Sequence, residues 1–407
     1  MRKGEPFHIA TGLPESEICA AEDAKNFAPE VSWFTFCCDY VRDHWPDIAA
    51  KTRDGITDGL ATATLAMLGS DRDRPSDEDL RTAIRWAMIP RNAEVEPPVD
   101  LARSIDWLKA HSRPVADLQD AKLADQVAKQ VTRLLDGSLA ASDTARRRRR
   151  ALNTAMEYAV TEGILPRNPL TELKRKRVAK NDTVDPRVLV NPEQARELLV
   201  AITYVGSWDR ARGRRLQAFF GTMYYAGCRP SECVGLRAAD CHLPETGWGR
   251  LMFDETLPVV SKQWTDHGKR HDPRGLKQRE REAVRPVPIP PVLVQMLRLH
   301  LEEFGEAEGG RVFGNERRKP IGASTYSRVW EEARELALTP AQVLSPLGGR
   351  PYDLRHSCLT GWLNAGVPPA EVARRAGNSV EVLYRRYAGC LDGQEDAVNR
   401  RIEAALE

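Results

Sequence analysis

No stretch of this sequence stays apolar over the roughly 18 residues that a membrane-spanning helix needs, so a helical membrane protein is excluded. The first 30 residues turn polar and acidic after two basic residues and lack the apolar core of a secretory signal, which leads us to expect a cytoplasmic location. Cysteine is sparse in pattern: Cys19, Cys37, Cys38, Cys228, Cys233, Cys241, Cys358 and Cys390 form no CxxC pair. That scatter excludes a disulfide scaffold and predicts reduced, mostly buried thiols. Cys233, Cys241 and His242 are the nearest approach to a metal cluster, and their spacing matches no structural zinc pattern, so no metal is expected. Net charge is nearly absent too, since 60 basic residues face 58 acidic ones and leave +2. There is no internal repeat and no low-complexity tract.

What is present is an ordinary globular composition, 42% hydrophobic and 29% charged, on 407 residues, a length that suits two domains with an ordered extension. Charge is unevenly spread. Residues 146–180 hold a local excess of basic residues, made of Arg146, Arg147, Arg148, Arg149 and Arg150, then Arg167, Lys174, Arg175, Lys176, Arg177 and Lys180, whereas residues 1–30 are acidic. A run of that kind suits phosphate contacts as well as it suits a solvated helix face.

Residues 31–173 show helix-like apolar spacing with polar breaks and no convincing strand, predicting an all-helical domain. Its clearest helix takes Ser142 or Asp143 as N-cap and carries Leu152, Ala155, Met156, Ala159 and Val160 on one face before Gly163, leaving the arginines of its N-terminal half free to face a partner. The basic stretch 174–190 has no apolar period and reads as a linker. A second domain, 191–391, opens on Asn191-Pro192-Glu193, an N-cap followed by proline at the first helical position. Leu251-Met252-Phe253 and residues 284–289 predict short strands around a basic insertion over 261–282, with helices on either side. The tail, 392–407, places Val398, Ile402 and Ala405 at helical spacing. The expected fold is therefore mainly α, with a small antiparallel β-sheet in the C-terminal domain.

Three segments of the second domain carry chemistry. The first is Ala226-Gly227-Cys228-Arg229-Pro230-Ser231-Glu232-Cys233-Val234-Gly235-Leu236. An arginine beside a helix start can grip a phosphate with its planar fork, and Glu232 could hold Arg229 in place. The second is Arg274-Gly275-Leu276-Lys277 with Arg285-Pro286-Val287-Pro288-Ile289. The third is Tyr352-Asp353-Leu354-Arg355-His356, followed by Ala376-Gly377-Asn378-Ser379 and Tyr384-Arg385-Arg386-Tyr387.

In this order and spacing the segments resemble the catalytic domain of the tyrosine site-specific recombinases, the phage integrase family. The resemblance spans most of residues 190–390. It implies that Arg229 and Arg355 are the catalytic arginines, Lys277 the hairpin lysine, with Lys262 and Lys269 as alternatives in the same insertion, and Tyr387 the nucleophile. Tyr352 and Asn378 stand where most members carry histidine or lysine, and histidine or tryptophan. Both can still donate a hydrogen bond to phosphate, but neither cycles a proton near neutral pH as histidine does. His356 is expected to take a buried hydrogen-bonding role, off Arg355's face of the helix.

The resemblance further implies DNA strand cleavage through a 3′-phosphotyrosyl bond without cofactor or metal. It makes the helical domain a core-binding domain on double-stranded DNA, gives a homotetramer on two recombination sites, and suits the tail for docking on a neighbouring subunit. Two other readings share these residues: a DNA-binding protein of the same fold with impaired catalysis, and a type IB-like topoisomerase.

Overall fold

The structure, a computed structural model, describes residues 31–69, 72–171, 173, 183–206, 210–275, 284–387, 390 and 395–406. The chain divides into two compact units, the first comprising residues 1–177 with Lys262–Gly268, the second Val178–Ser261 and Lys269–Glu407. Among the described residues no helix is long and apolar enough to cross a membrane, and the described cysteines, Cys37, Cys38, Cys228, Cys233, Cys241, Cys358 and Cys390, are free thiols.

The first unit is helical: α1 (Trp33–His44), α2 (Ala50–Thr64), α3 (Asp77–Ala87), α4 (Val99–His111), α5 (Ala121–Gln130) and α6 (Ser142–Thr161). Serine caps start two of them, with Ser32 accepting from the Thr35 amide and Ser76 from the Asp79 amide. The apolar stripes meet in one core that includes Trp33, Phe36, Tyr40, Leu60, Leu108, Leu152 and Met156. Gly59 lets α2 lie against α6, since a Cβ there would stand 3.1 Å from the Ala151 Cβ and 3.2 Å from the Arg148 Cα.

Two sequence expectations for this unit change. Helix α6 begins one position earlier than expected: Ala141 is its cap and makes no side-chain cap bond, so Ser142 is already helical. Asp143 then acts through charge in the first turn, where it also pairs with Arg146. The second change is that Lys262–Gly268, expected to stay with the hairpin insertion of the second domain, belongs to the helical unit. There Trp264 is buried, Arg53 donates to its carbonyl at 2.8 Å, and Asp266 accepts from Trp45 Nε1 at 2.7 Å. An indole removed from water outweighs the loop's polar composition.

The second unit runs α7 (Pro192–Ile202), α8 (Ala211–Tyr225), α9 (Pro230–Gly235), β1 (Cys241–His242), β2 (Gly249–Phe253), β3 (Glu255–Thr256), β4 (Arg274–Gly275), β5 (Arg285–Ile289), α10 (Pro291–Phe304), α11 (Ala323–Ala337), α12 (Pro340–Leu344), α13 (Asp353–Asn364), α14 (Pro369–Ala376), α15 (Val380–Tyr387) and α16 (Glu395–Leu406). Asn191 caps α7 as expected, in a reciprocal capping box with Gln194.

Strands β1, β2 and β5 form an antiparallel sheet in that order, with Leu251 opposite Val287 and Phe253 opposite Arg285; β3 pairs with β4. Alternate residues of β2 and β5 face inward, and that alternation carries Arg285 in with Val287 and Ile289. Helix α13 is buried continuously from Asp353 to Thr360, which makes it the central helix of the unit and the scaffold for Arg355 and His356.

Candidate active site

Arg229 is the N-cap residue of α9 and Pro230 its first helical residue, so the chain enters the helix with a fixed φ and the arginine stands at its mouth. Glu232, one turn on, reaches back: its carboxylate accepts from the Arg229 amide at 2.8 Å and from Arg229 Nη1 at 2.8 Å. The same carboxylate accepts from Arg285 Nη1 at 3.0 Å, and the Arg285 guanidinium lies 5.0 Å from the centre of the Phe253 ring. Burial alone would raise the Glu232 pKa, but Arg285 beside it, with Arg229 and Arg355, draws it down to about 2. Glu232 is therefore a carboxylate throughout the physiological range.

A second anchor is the C-terminal turn of α14. Gly377 adopts a left-handed conformation, φ +62°, and ends the helix with its last carbonyls unspent inside it. Those carbonyls hold arginines: Arg355 Nη2 donates to Ala376 O at 2.8 Å, Arg285 Nη1 to Ala376 O at 3.3 Å, and Arg229 Nη2 to Gly377 O at 3.0 Å. Arg355 Nη1 also donates to Gly227 O. A Cβ at 377 would run into the Arg285 guanidinium, so glycine keeps that group in place. Asn378 completes the turn, its Oδ1 accepting from Arg229 Nη2 at 2.7 Å, which turns its amide nitrogen into the available donor. Two guanidinium groups, those of Arg229 and Arg285, thus pair with one carboxylate while Arg355 adds its charge nearby, and the excess positive charge suits an anion.

Tyr387 ends α15 and is 1% exposed. Its hydroxyl lies 2.9 Å from His356 Nδ1, and the His356 ring meets Tyr352 edge-on at 5.0 Å between centroids. Burial, then Arg386, Arg355 and Arg350, depress the His356 pKa to about 3, so the imidazole is neutral at neutral pH. Burial pushes the Tyr387 phenol well above its ordinary range, against the pull of Arg355 and Arg386. The phenol therefore keeps its proton, and with the imidazole hydrogen on Nε2 it donates to Nδ1.

An arginine-rich anion site and a tyrosine hydroxyl on adjoining helices constitute parts for attack on a phosphodiester. Residues 189–389 match the model of the phage integrase family. The second unit is a phage integrase domain. A XerC-like tyrosine recombinase from Caldanaerobacter subterraneus subsp. tengcongensis is 24% identical over 239 residues, a match covering 56% of this chain and 57% of that relative. Among solved structures, the Tn1549 transposon integrase in complex with a circular intermediate DNA aligns at a TM-score of 0.53 and 16% identity, covering 78% of this chain and 98% of that one. The XerH site-specific recombinase in a pre-cleavage complex with its difH substrate aligns at 0.54 and 12% identity, covering 94% and 97%.

Within the integrase domain, the structure brings together Arg229, Glu232, Arg355 and Asn378 around the α14 turn, and Tyr387, His356 and Tyr352 beside them. Lys277 lies outside the described residues, as do Lys174, Arg175, Lys176 and Arg177. In the helical unit Arg146, Arg147, Arg149 and Arg150 are exposed on α6. Arg148 departs from the expectation of a DNA-facing residue: it is buried, donates to Asp58 at 2.7 Å and to Arg133 O at 2.9 Å, and its guanidinium is committed inside the fold. It lies four residues before Leu152, on the helix face that packs inward.

Arg285, which the structure places against Glu232 at the centre of the candidate site, was missed from sequence. Its signal was present, because an arginine two and four residues before Val287 and Ile289 in one strand must share their buried face.

Proposed function

We propose that this protein is a site-specific DNA recombinase of the tyrosine type, acting on double-stranded DNA. The observation that carries the reading is the convergence of Arg229 and Arg355 on one helix-end turn, with the Tyr387 hydroxyl presented from the next helix. A phosphodiester resists attack because its negative charge repels the nucleophile and grows on the oxygens as bonds exchange. Arg229 and Arg355 offset that charge. The Tyr387 oxygen attacks phosphorus, the bond to the 5′ oxygen breaks, and a 3′-phosphotyrosyl link stores its energy for reversal by another strand's 5′ hydroxyl.

Lys277 serves as the acid that protonates the departing 5′ oxygen. The chemistry needs neither metal nor cofactor, the helical unit supplies backbone contacts, and exchange takes place in a homotetramer on two sites, in the cytoplasm. The exposed α6 arginines fit such contacts, which displace counterions and make binding strongly salt-dependent.

The test is a nicked suicide duplex carrying the protein's own site, followed by denaturing electrophoresis. The parent protein forms a covalent adduct, and Tyr387→Phe forms none while binding DNA within a few-fold. Adducts formed by Tyr387→Phe would move the nucleophile to another residue, Tyr384 first. A second reading, a protein of this fold that binds DNA without cutting, is favoured by Tyr352 and Asn378 in place of proton-cycling residues, and it requires that the parent form no adduct.

A further inference from the structure

Tyr387 must lose a proton as it attacks, and Tyr352, at the start of α13, is not a group that takes one up near neutral pH. Tyr352 and His356 are four residues apart on that helix, so they share a face and their rings touch. We infer that His356 is the catalytic residue that accepts the Tyr387 proton, an inference that rests on the recombinase reading above.

The geometry supports this directly. A 2.9 Å contact joins Nδ1 to the tyrosine oxygen, at normal hydrogen-bond length, with both residues closed off from water. Arg355, Tyr352, Arg386 and Cys358 are the other described groups whose charge bears on Tyr387. Two of these are arginines, whose side chains offer donors and no acceptor, and Tyr352 brings a hydroxyl in place of a basic nitrogen. Burial pushes the Cys358 thiol far above its ordinary range, so it too holds its proton. With its hydrogen on Nε2, the neutral imidazole is the one member of this set that places a lone pair toward the phenol.

The proton balance closes within the site. As the Tyr387 oxygen bonds to phosphorus, its proton passes to Nδ1, giving an imidazolium that carries hydrogen on both ring nitrogens. The 5′ oxygen leaves with the electrons of its bond to phosphorus and takes a proton from a separate acid. On reversal the imidazolium returns its proton to the tyrosine oxygen. Before DNA arrives, burial and then Arg386, Arg355 and Arg350 oppose a positive charge on His356. A phosphate seated on Arg229 and Arg355 cancels part of that opposition, so the base gains strength when substrate is in place.

The experiment uses the full chain and nicked duplexes recovered from a random-sequence library by covalent capture on the parent protein. Each duplex is made with an ordinary 5′ oxygen or with a 5′-bridging sulfur, which leaves without needing a proton. Single-turnover adduct formation and equilibrium binding are measured for the parent, His356→Ala and His356→Asn. Asparagine places its Oδ1 near the Nδ1 position and keeps the hydrogen bond without the proton affinity.

Both variants are expected to cleave on the order of 10²–10⁴-fold more slowly with either leaving group, while binding stays within a few-fold. Sulfur restoring His356→Ala to the parent rate would make His356 the acid and overturn the inference. His356→Asn at the parent rate would reduce it to a positioning residue. His356→Ala within a few-fold of the parent would remove it from the reaction. Should His356→Ala lose its cooperative thermal transition, His356→Asn decides alone. A library from which the parent captures nothing overturns the recombinase reading itself, an outcome separable from all of these.

Discussion

Each unit builds a cluster of arginines on carboxylates, and the two clusters differ in what surrounds them. In the helical unit Asp58 pairs with Arg81 and with Arg148 at 2.7 Å, and Arg85 bridges Asp54 at 2.7 Å and Asp58 at 3.5 Å. Its carboxylates retain about a quarter of their exposure, and its arginines clamp α2, α3 and α6 together. In the integrase domain Glu232 is 1% exposed, and its arginines are further bound by carbonyls of a helix end. Water reaches the carboxylates of the first cluster and not the carboxylate of the second. The same pairing is therefore mainly a clamp in one unit and an organiser of an anion site in the other.

Removing the central carboxylate should separate the two most sharply. Glu232→Ala leaves Arg285 buried without its partner, and an uncompensated buried charge of this kind costs roughly 3–5 kcal/mol. Asp58→Ala should cost less, because Arg81 and Arg85 can turn to solvent and Arg148 keeps its bond to Arg133 O. Denaturant unfolding of the full chain, followed by probes in each unit, measures both.

Acid titration sharpens the same contrast. The folded Glu232 pKa of about 2 lies below its unfolded value, so its stabilisation is complete above the unfolded pKa and fades as pH falls toward 2. It amounts to about 3 kcal/mol, and Glu232→Gln should abolish that part of the acid sensitivity.

Next in size is the effect on rate. Arg355→Ala should lower cleavage on the order of 10²–10³-fold, or roughly 3–4 kcal/mol, with binding nearly intact. Arg355→Lys should rescue little, because an ammonium cannot replace a planar fork held between Gly227 O and Ala376 O. Arg148→Ala should leave the cleavage rate of bound DNA unchanged. Equal rate losses in the two variants would erase the distinction between site and clamp.

Gly377→Ala should cost about 1–3 kcal/mol through its left-handed backbone alone, with a further fall in cleavage as the new Cβ displaces Arg285. Thermal melts alongside single-turnover rates separate the two. Smallest is the surface effect. Arg150→Gln should reduce the salt slope of DNA binding by about 0.9 if it contacts one phosphate, whereas Arg148→Gln should leave the slope unchanged and lower the melting temperature.

Much of this was legible beforehand because it depends on neighbours in sequence. Asn191-Pro192 announced α7, Gly377 announced the end of α14, and the alternation over 285–289 announced a strand. Arg229, Glu232, Arg355 and Tyr387 were singled out because the segments that carry them resemble the recombinase family's, not by any local period. Arg148 was misread because the apolar stripe of α6 was started at Leu152, although the same period carried back one turn points Arg148 inward.

The sequence by itself determined the helices and the short strands, since each follows from a period or a cap within a few residues, and it carried in order the segments whose resemblance to the recombinase family marked the candidate residues. Only the tertiary structure decided that Arg285 meets Glu232 across 53 positions, that His356 meets Tyr387 across 31, and that Arg148 meets Asp58 across 90. A helix or strand period specifies which face a side chain occupies. Which residue stands opposite is set by how elements pack over long separations, where close-packed shape and the need to pair every buried charge select one partner.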